Sequence, residues 1–130
     1  MPARSRSKTV LIVEDDPDIR ELVAYKLTRG GFAVTEAADG LAALQAARER
    51  PPDAVILDIR LPRLSGIEVC RELRAAPATA AVPIIMLTGA VRLQELEQAY
   101  AAGATDYLVK PFSPRELQRR VEAALVGVGG

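Results

Sequence analysis

What most limits the folds open to this chain is a set of short apolar runs, each ending in a polar side chain. Ala54-Val55-Ile56-Leu57 ends in Asp58, and Val10-Leu11-Ile12-Val13 ends in Glu14, Asp15 and Asp16. Ile84-Ile85-Met86-Leu87 ends in Thr88, and Tyr107-Leu108-Val109 ends in Lys110 followed by Pro111. Unbroken runs of this length, rich in β-branched residues, read as strands buried on both faces, the pattern of a parallel sheet. In open α/β sheets ligands bind beyond the carboxyl ends of the strands. If these runs are parallel neighbours, their carboxylates, hydroxyl and ammonium converge at one edge.

The segments between the runs have helical spacing. Asp16-Pro17-Asp18 reads as an N-cap with proline at the first helical position, and Gly30-Gly31 as the stop. Ile19, Leu22, Val23 and Leu27 form the apolar repeat between them. Phe32 to Glu36 is a weaker, more polar strand suited to a sheet edge. Asp39-Gly40 opens a helix with Leu41, Leu44 and Ala47 on one face, closed by Pro51-Pro52. Ser65 with Glu68 predicts a capping box for a helix through Ile67, Cys70 and Leu73. The strand from Val82 precedes a helix carrying Leu93, Leu96 and Tyr100, which ends at Gly103. Ser113 with Glu116 is a second capping-box pattern, opening a helix through Leu117, Val121 and Leu125. The (βα) unit therefore recurs five times, with short connections and no internal sequence repeat. Right-handed crossovers then predict a flavodoxin-like, doubly wound three-layer α/β sandwich with a parallel sheet of order 2-1-3-4-5.

Composition bounds the chemistry. At 130 residues the chain fits one domain with a core of its own. Its 17 basic and 17 acidic side chains cancel, so no global charge draws it to nucleic acid or an anionic membrane. No apolar run approaches the roughly 18 residues of a membrane span. The single cysteine, Cys70, excludes an internal disulfide and suits a reducing compartment, so a cytoplasmic protein is expected. Histidine is absent, which removes His-based catalysis and His metal ligands from this chain. Residues 1–8 are basic and Ser-rich without a signal-peptide core, and are expected to form a disordered arm before a domain over 9–126. Residues 127–130 are expected to be a flexible tail or the start of a linker.

Each polar strand end has an ordinary reading: a helix cap for Asp15-Asp16, a solvated end for Asp58, a satisfied hydroxyl for Thr88, a surface charge for Lys110. Several landing together on one edge by accident is a weaker explanation. Clustered carboxylates repel one another and call for cations. Lys110 supplies one, and a divalent metal is the natural second. An all-oxygen site without His or Cys favours Mg²⁺ or Mn²⁺ over zinc. A carboxylate beside such a metal, faced by an ammonium and a hydroxyl, is suited to receive a phosphoryl group. No Gly-x4-Gly-Lys-Ser/Thr or Gly-x-Gly-x-x-Gly pattern occurs, so nucleotide binding has no support.

These residues carry a resemblance. Glu14-Asp15-Asp16, Asp58 with Leu61-Pro62 and Gly66, Thr88, Gly103-Ala104, and Tyr107 to Phe112 resemble the ordered motifs of the receiver domain of two-component response regulators, from Thr9 to Leu125. Arg63 stands where the family often has glycine, and Thr105 where it often has an acid. The resemblance implies a signalling switch rather than an enzyme, one that assists its own phosphoryl transfer and autodephosphorylation. Asp58 is then the phosphoacceptor, modified by a sensor histidine kinase or a phosphotransfer protein. Asp15, Asp16, Asp58 and the backbone carbonyl of Arg60 are the implied Mg²⁺ ligands. Lys110 pairs with the carboxylate and phosphoryl oxygens, Thr88 moves to the phosphoryl group, and Tyr107 swings inward behind it. The Lys110–Pro111 bond is implied to be cis. The positions two after Asp58 and Thr88 can gate hydrolysis; they hold Arg60, expected across the phosphoryl oxygens, and Ala90, which offers nothing to orient the attacking water.

The similarity of residues 110–117 to receivers of winged-helix regulators, with Asp106, Glu116 and Arg120, implies a homodimer through the fourth helix, fifth strand and last helix. Direct nucleic-acid or membrane binding by this domain is not expected. A Mg²⁺-dependent phosphatase of the haloacid-dehalogenase type is the competing class, but its Asp-x-Asp signature is not met after the first strand. A degenerate receiver acting only as a binding module would have lost an acid, the threonine or the lysine.

Overall fold

The computed structural model describes residues 7–89 and 92–129. Strands and helices alternate along the chain: β1 (Thr9–Val13), α1 (Pro17–Arg29), β2 (Ala33–Ala37), α2 (Gly40–Glu49), β3 (Ala54–Asp58), α3 (Gly66–Ala75), β4 (Ile84–Thr88), α4 (Leu93–Ala101), β5 (Asp106–Val109) and α5 (Pro114–Gly129). The five strands form one parallel sheet of order β2-β1-β3-β4-β5, as expected. β4 starts two residues later than its apolar run suggests, because Pro83 has no N–H to give to the ladder; its carbonyl instead accepts from Val55 N at 2.9 Å.

Alternation along each strand divides the core. Val10, Ile12, Ala54, Ile56, Ile85 and Leu87 meet Val23 and Leu27 of α1 and Leu117 and Val121 of α5 on one face. Leu11, Val13, Val55, Leu57, Ile84 and Met86 face α2, α3 and α4 on the other. Every residue of β3 and β4 is buried, which is why those runs are continuous rather than alternating. Each large side chain so buried contributes about 1.5–3 kcal/mol. β2, at the edge, is mostly exposed, in keeping with its polar sequence.

The helices bury narrower faces than the apolar repeats suggest. Leu22, Leu41, Leu93 and Tyr100 are exposed, at 51%, 47%, 72% and 45%. In α1 the buried line is Val23 and Leu27, four residues apart, and Leu22 lies 100° of helix away from Val23. Periodicity cannot tell which flank of an apolar stripe the sheet covers. At the C-terminus α5 continues to Gly129, so residues 127–129 are helical where a soft tail was expected. Glycine costs a helix only about 1 kcal/mol relative to alanine, and a helix already formed propagates through it. Of the expected N-terminal arm, residues 1–6 lie outside the described residues, as do Ala90, Val91 and Gly130.

Candidate functional site

The register levels the polar residues. Val13 is paired with Leu57 across β1 and β3, so the next residues, Glu14 and Asp58, stand side by side. Asp58 is paired with Leu87 and Thr88 with Val109, so Thr88 and Lys110 follow at the same edge. The Thr88 carbonyl accepts from Lys110 N at 2.7 Å, fixing that end of β5. Gly66 seals the turn after β3. A Cβ there would lie 2.1 Å from the Asp58 carbonyl oxygen, so only glycine lets α3 start this close to the site. Ser65 and Glu68 form the expected capping box above it.

Asp58 is 4% exposed. Its Oδ1 accepts from Arg60 N at 3.0 Å and its Oδ2 from Lys110 Nζ at 2.9 Å. Glu14 is 1% exposed, and its Oε2 accepts from Asp16 N at 3.1 Å. Lys110 Nζ also lies 2.8 Å from Glu14 Oε1, but that contact is ionic: Oε1 has no properly directed hydrogen bond. Burial pushes the Glu14 carboxyl up from its ordinary range, against the Lys110 and Asp16 contacts that lower it. For Lys110 burial works downward, but the Asp58 hydrogen bond and the close negative charges of Asp58 and Glu14 outweigh it, and the net shift is upward. Thr88 is buried at the end of β4. Tyr107 is half-buried on β5, its ring edge-on to Tyr100 with centroids 6.1 Å apart. The Lys110–Pro111 bond is cis.

Two residues sit differently from expectation. Asp16 is the N-cap of α1, its Oδ1 accepting from Asp18 N at 2.9 Å and Ile19 N at 3.4 Å. Its carboxylate is spent on helix amides, and Glu14 takes the place expected for it. Glu14, Asp15 and Asp58 each bring a carboxylate oxygen within 4.8 Å of the other two. The missed signal was the register itself: Glu14 and Asp58 are each the first acidic residue reached by paired strands. Arg60 also departs. Its guanidinium pairs with Glu95 of α4 at 3.3 Å rather than lying over Asp58. Ala90, expected to offer nothing that orients the attacking water, lies outside the described residues.

Three carboxylates therefore face one ammonium, and one buried carboxylate oxygen lacks a directed donor. An all-oxygen set with that deficit fits a small divalent cation such as Mg²⁺ or Mn²⁺. The response regulator receiver domain profile matches residues 10–122. The chain belongs to that family. The receiver is 43% identical over 119 residues to PhoP of Bacillus subtilis, the alkaline phosphatase synthesis transcriptional regulatory protein, covering 92% of this chain and 49% of PhoP. It thus spans about half the length of that relative. Among solved structures, chemotaxis protein CheY4 of Vibrio cholerae is similar at TM-score 0.88 and 34% identity, over 92% of this chain and 99% of CheY4. The receiver domain of a sensor histidine kinase from Pseudomonas aeruginosa, with magnesium coordinated in its active site cleft, matches at TM-score 0.86 and 37% identity, over 93% of this chain and 99% of that one. Among the described residues no helix is long and apolar enough to cross a membrane.

Proposed function

We propose that this receiver is a phosphorylation-activated switch, with Asp58 accepting a phosphoryl group from a sensor histidine kinase or phosphotransfer protein. The observation that carries this reading is the buried Asp58 carboxylate, oriented by Arg60 N at 3.0 Å and Lys110 Nζ at 2.9 Å beside two further acids. A carboxylate oxygen of Asp58 attacks phosphorus, the donor's P–N bond breaks, and the histidine nitrogen leaves as the new P–O bond forms. Glu14, Asp15, Asp58 and the Arg60 carbonyl would hold Mg²⁺ or Mn²⁺, which supplies charge neutralisation at the phosphoryl oxygens when bound. Lys110 supplies the second positive charge, and the Thr88 hydroxyl a hydrogen bond.

The modification replaces the single carboxylate charge of Asp58 with a phosphoryl group carrying about two, a net gain of roughly one negative charge, and adds acceptor oxygens at a buried point. Thr88 follows the new oxygens, and Tyr107, now against Tyr100, moves into the space vacated. The surface of α4, β5 and α5 changes with them and carries the signal to an output domain or partner in the cytoplasm. That surface also forms a homodimer. Arg120 there pairs within the chain with Asp106 at 2.9 Å and Glu116 at 2.9 Å, charges positioned to exchange partners between copies.

The deciding experiment is incubation with acetyl phosphate and Mg²⁺, followed by intact mass. A gain of one phosphoryl group that disappears in Asp58→Asn is expected; a gain that persists in the variant overturns the assignment. Sedimentation with and without beryllofluoride tests the dimer, and a monomer in both states removes it.

A further inference from the structure

Arg20, in the second turn of α1, has no part in the chemistry above, yet its guanidinium reaches the acidic loop. Nη1 donates to the main-chain carbonyl of Glu14 at 2.8 Å, and Nε donates to Glu36 Oε1 of β2 at 3.2 Å. The side chain is 20% exposed, so water competes weakly for these bonds. The Glu14 amide donates to the Ala37 carbonyl at 3.1 Å, and Glu14 Oε2 accepts from Asp16 N at 3.1 Å. The residue is thus held through its amide, its carbonyl and its side chain. The carbonyl is the group that sets the direction of the next residue, Asp15, whose exposed carboxylate has no hydrogen-bond or ion-pair partner among the described residues to hold it toward Glu14 and Asp58.

We infer that Arg20 is a positioning residue for the cation site, aiming Asp15 and Glu14 by gripping the peptide between them. The inference rests on the proposed cation site but not on phosphorylation. It is separable from a simple charge effect, because the two have opposite signs. A guanidinium beside a cation site repels the cation, so removing it by charge alone tightens binding. Removing a bond that orients the ligands weakens binding, by 10–100-fold for outer-shell partners of metal ligands. Glu36, paired with the guanidinium, offsets its charge and leaves the hydrogen bond as the larger effect.

The experiment is Mn²⁺ titration, followed by the electron paramagnetic resonance signal of free Mn²⁺, on the unphosphorylated protein and on Arg20→Met, Arg20→Lys and Glu36→Gln. Arg20→Met keeps the aliphatic stem, and is expected to bind Mn²⁺ about tenfold or more weakly at a temperature where its circular dichroism is native. Arg20→Lys, which keeps a donor for the Glu14 carbonyl, is expected to recover most of that loss. Glu36→Gln is expected to stay within about twofold of the parent. Unchanged or tighter binding by Arg20→Met overturns the inference; so does equal weakening by the lysine variant, which also decides the case if Arg20→Met fails to fold. Failure of the parent protein to bind Mn²⁺ removes the cation site itself, and Arg20's role with it.

Discussion

Two polar clusters lie at opposite ends of the sheet, and they are built on opposite rules. At the amino ends of β4 and β5, Arg74 of α3 donates from Nε to the Gly103 carbonyl at 2.9 Å and from Nη1 to the carbonyls of Ala80, at 3.1 Å, and Val82. Nη2 reaches the Thr105 hydroxyl at 3.4 Å, which also accepts from Ile84 N at 2.9 Å. One charge is spread over neutral acceptors, and two loops are tied to one helix. At the carboxyl ends, Glu14 and Asp58 share the Lys110 ammonium with Asp15 close beside them, and Glu14 Oε1 is left without a directed hydrogen bond. The first cluster completes its bonding and holds the fold. The second leaves its bonding incomplete, which costs stability and creates a place for a ligand. Thr105, where the family often has an acid, belongs to the structural cluster.

Arg74→Ala strands several carbonyls at once and is expected to cost about 2 kcal/mol in urea unfolding while leaving Mn²⁺ affinity unchanged. If stability holds or metal binding falls, the two ends are not independent. Glu14→Gln is the converse. Removing a buried charge from an overcharged set is expected to stabilise the metal-free protein by about 1 kcal/mol and to abolish cation binding. A net loss of stability in thermal melts with chelator present would show that the Glu14–Lys110 contact outweighs the repulsion.

A third change sharpens the rim of the incomplete cluster. The Arg60–Glu95 pair is largely exposed and worth at most about 1 kcal/mol. While Glu95 holds the guanidinium, Arg60 is drawn away from the phosphoryl position. Glu95→Gln releases it, and decay of phospho-Asp58 after donor removal is expected to slow about threefold, on the order of 0.6 kcal/mol in barrier. Adding Arg60→Ala should cancel the slowing; if it persists in the double variant, Arg60 is not its cause. The smallest effect belongs to Arg63, which holds φ 73, a left-handed conformation costly to a side chain. Relief of that strain by Arg63→Gly is partly offset by glycine's greater freedom in the unfolded chain. A gain of about 0.5 kcal/mol in the urea midpoint is expected. A loss would mean that the arginine makes contacts outweighing its backbone strain.

The element order, the parallel sheet and its strand order were legible in the sequence because continuous apolar runs and helical repeats have different periods, and because right-handed crossovers leave few ways to wind them. The burial of β3 and β4, the Ser65 capping box and the gathering of Asp58, Thr88 and Lys110 at one edge follow from the same local signals. The sides of the helix stripes did not: Leu22 and Leu41 match the period but miss the sheet, because coverage depends on the docking angle of the whole helix. The acid chosen for the cluster did not either. Glu14-Asp15-Asp16 offers three adjacent carboxylates, and their residue types do not rank them. Pairing of Val13 with Leu57 puts Glu14 level with Asp58, while the start of α1 claims Asp16 for its amides. The grip of Arg20 on the Glu14 carbonyl and the turn of Arg60 toward Glu95 were equally hidden. Local sequence determines which groups end a strand; how paired strands and docked helices share those groups is a long-range outcome, decided by register and packing in the folded molecule.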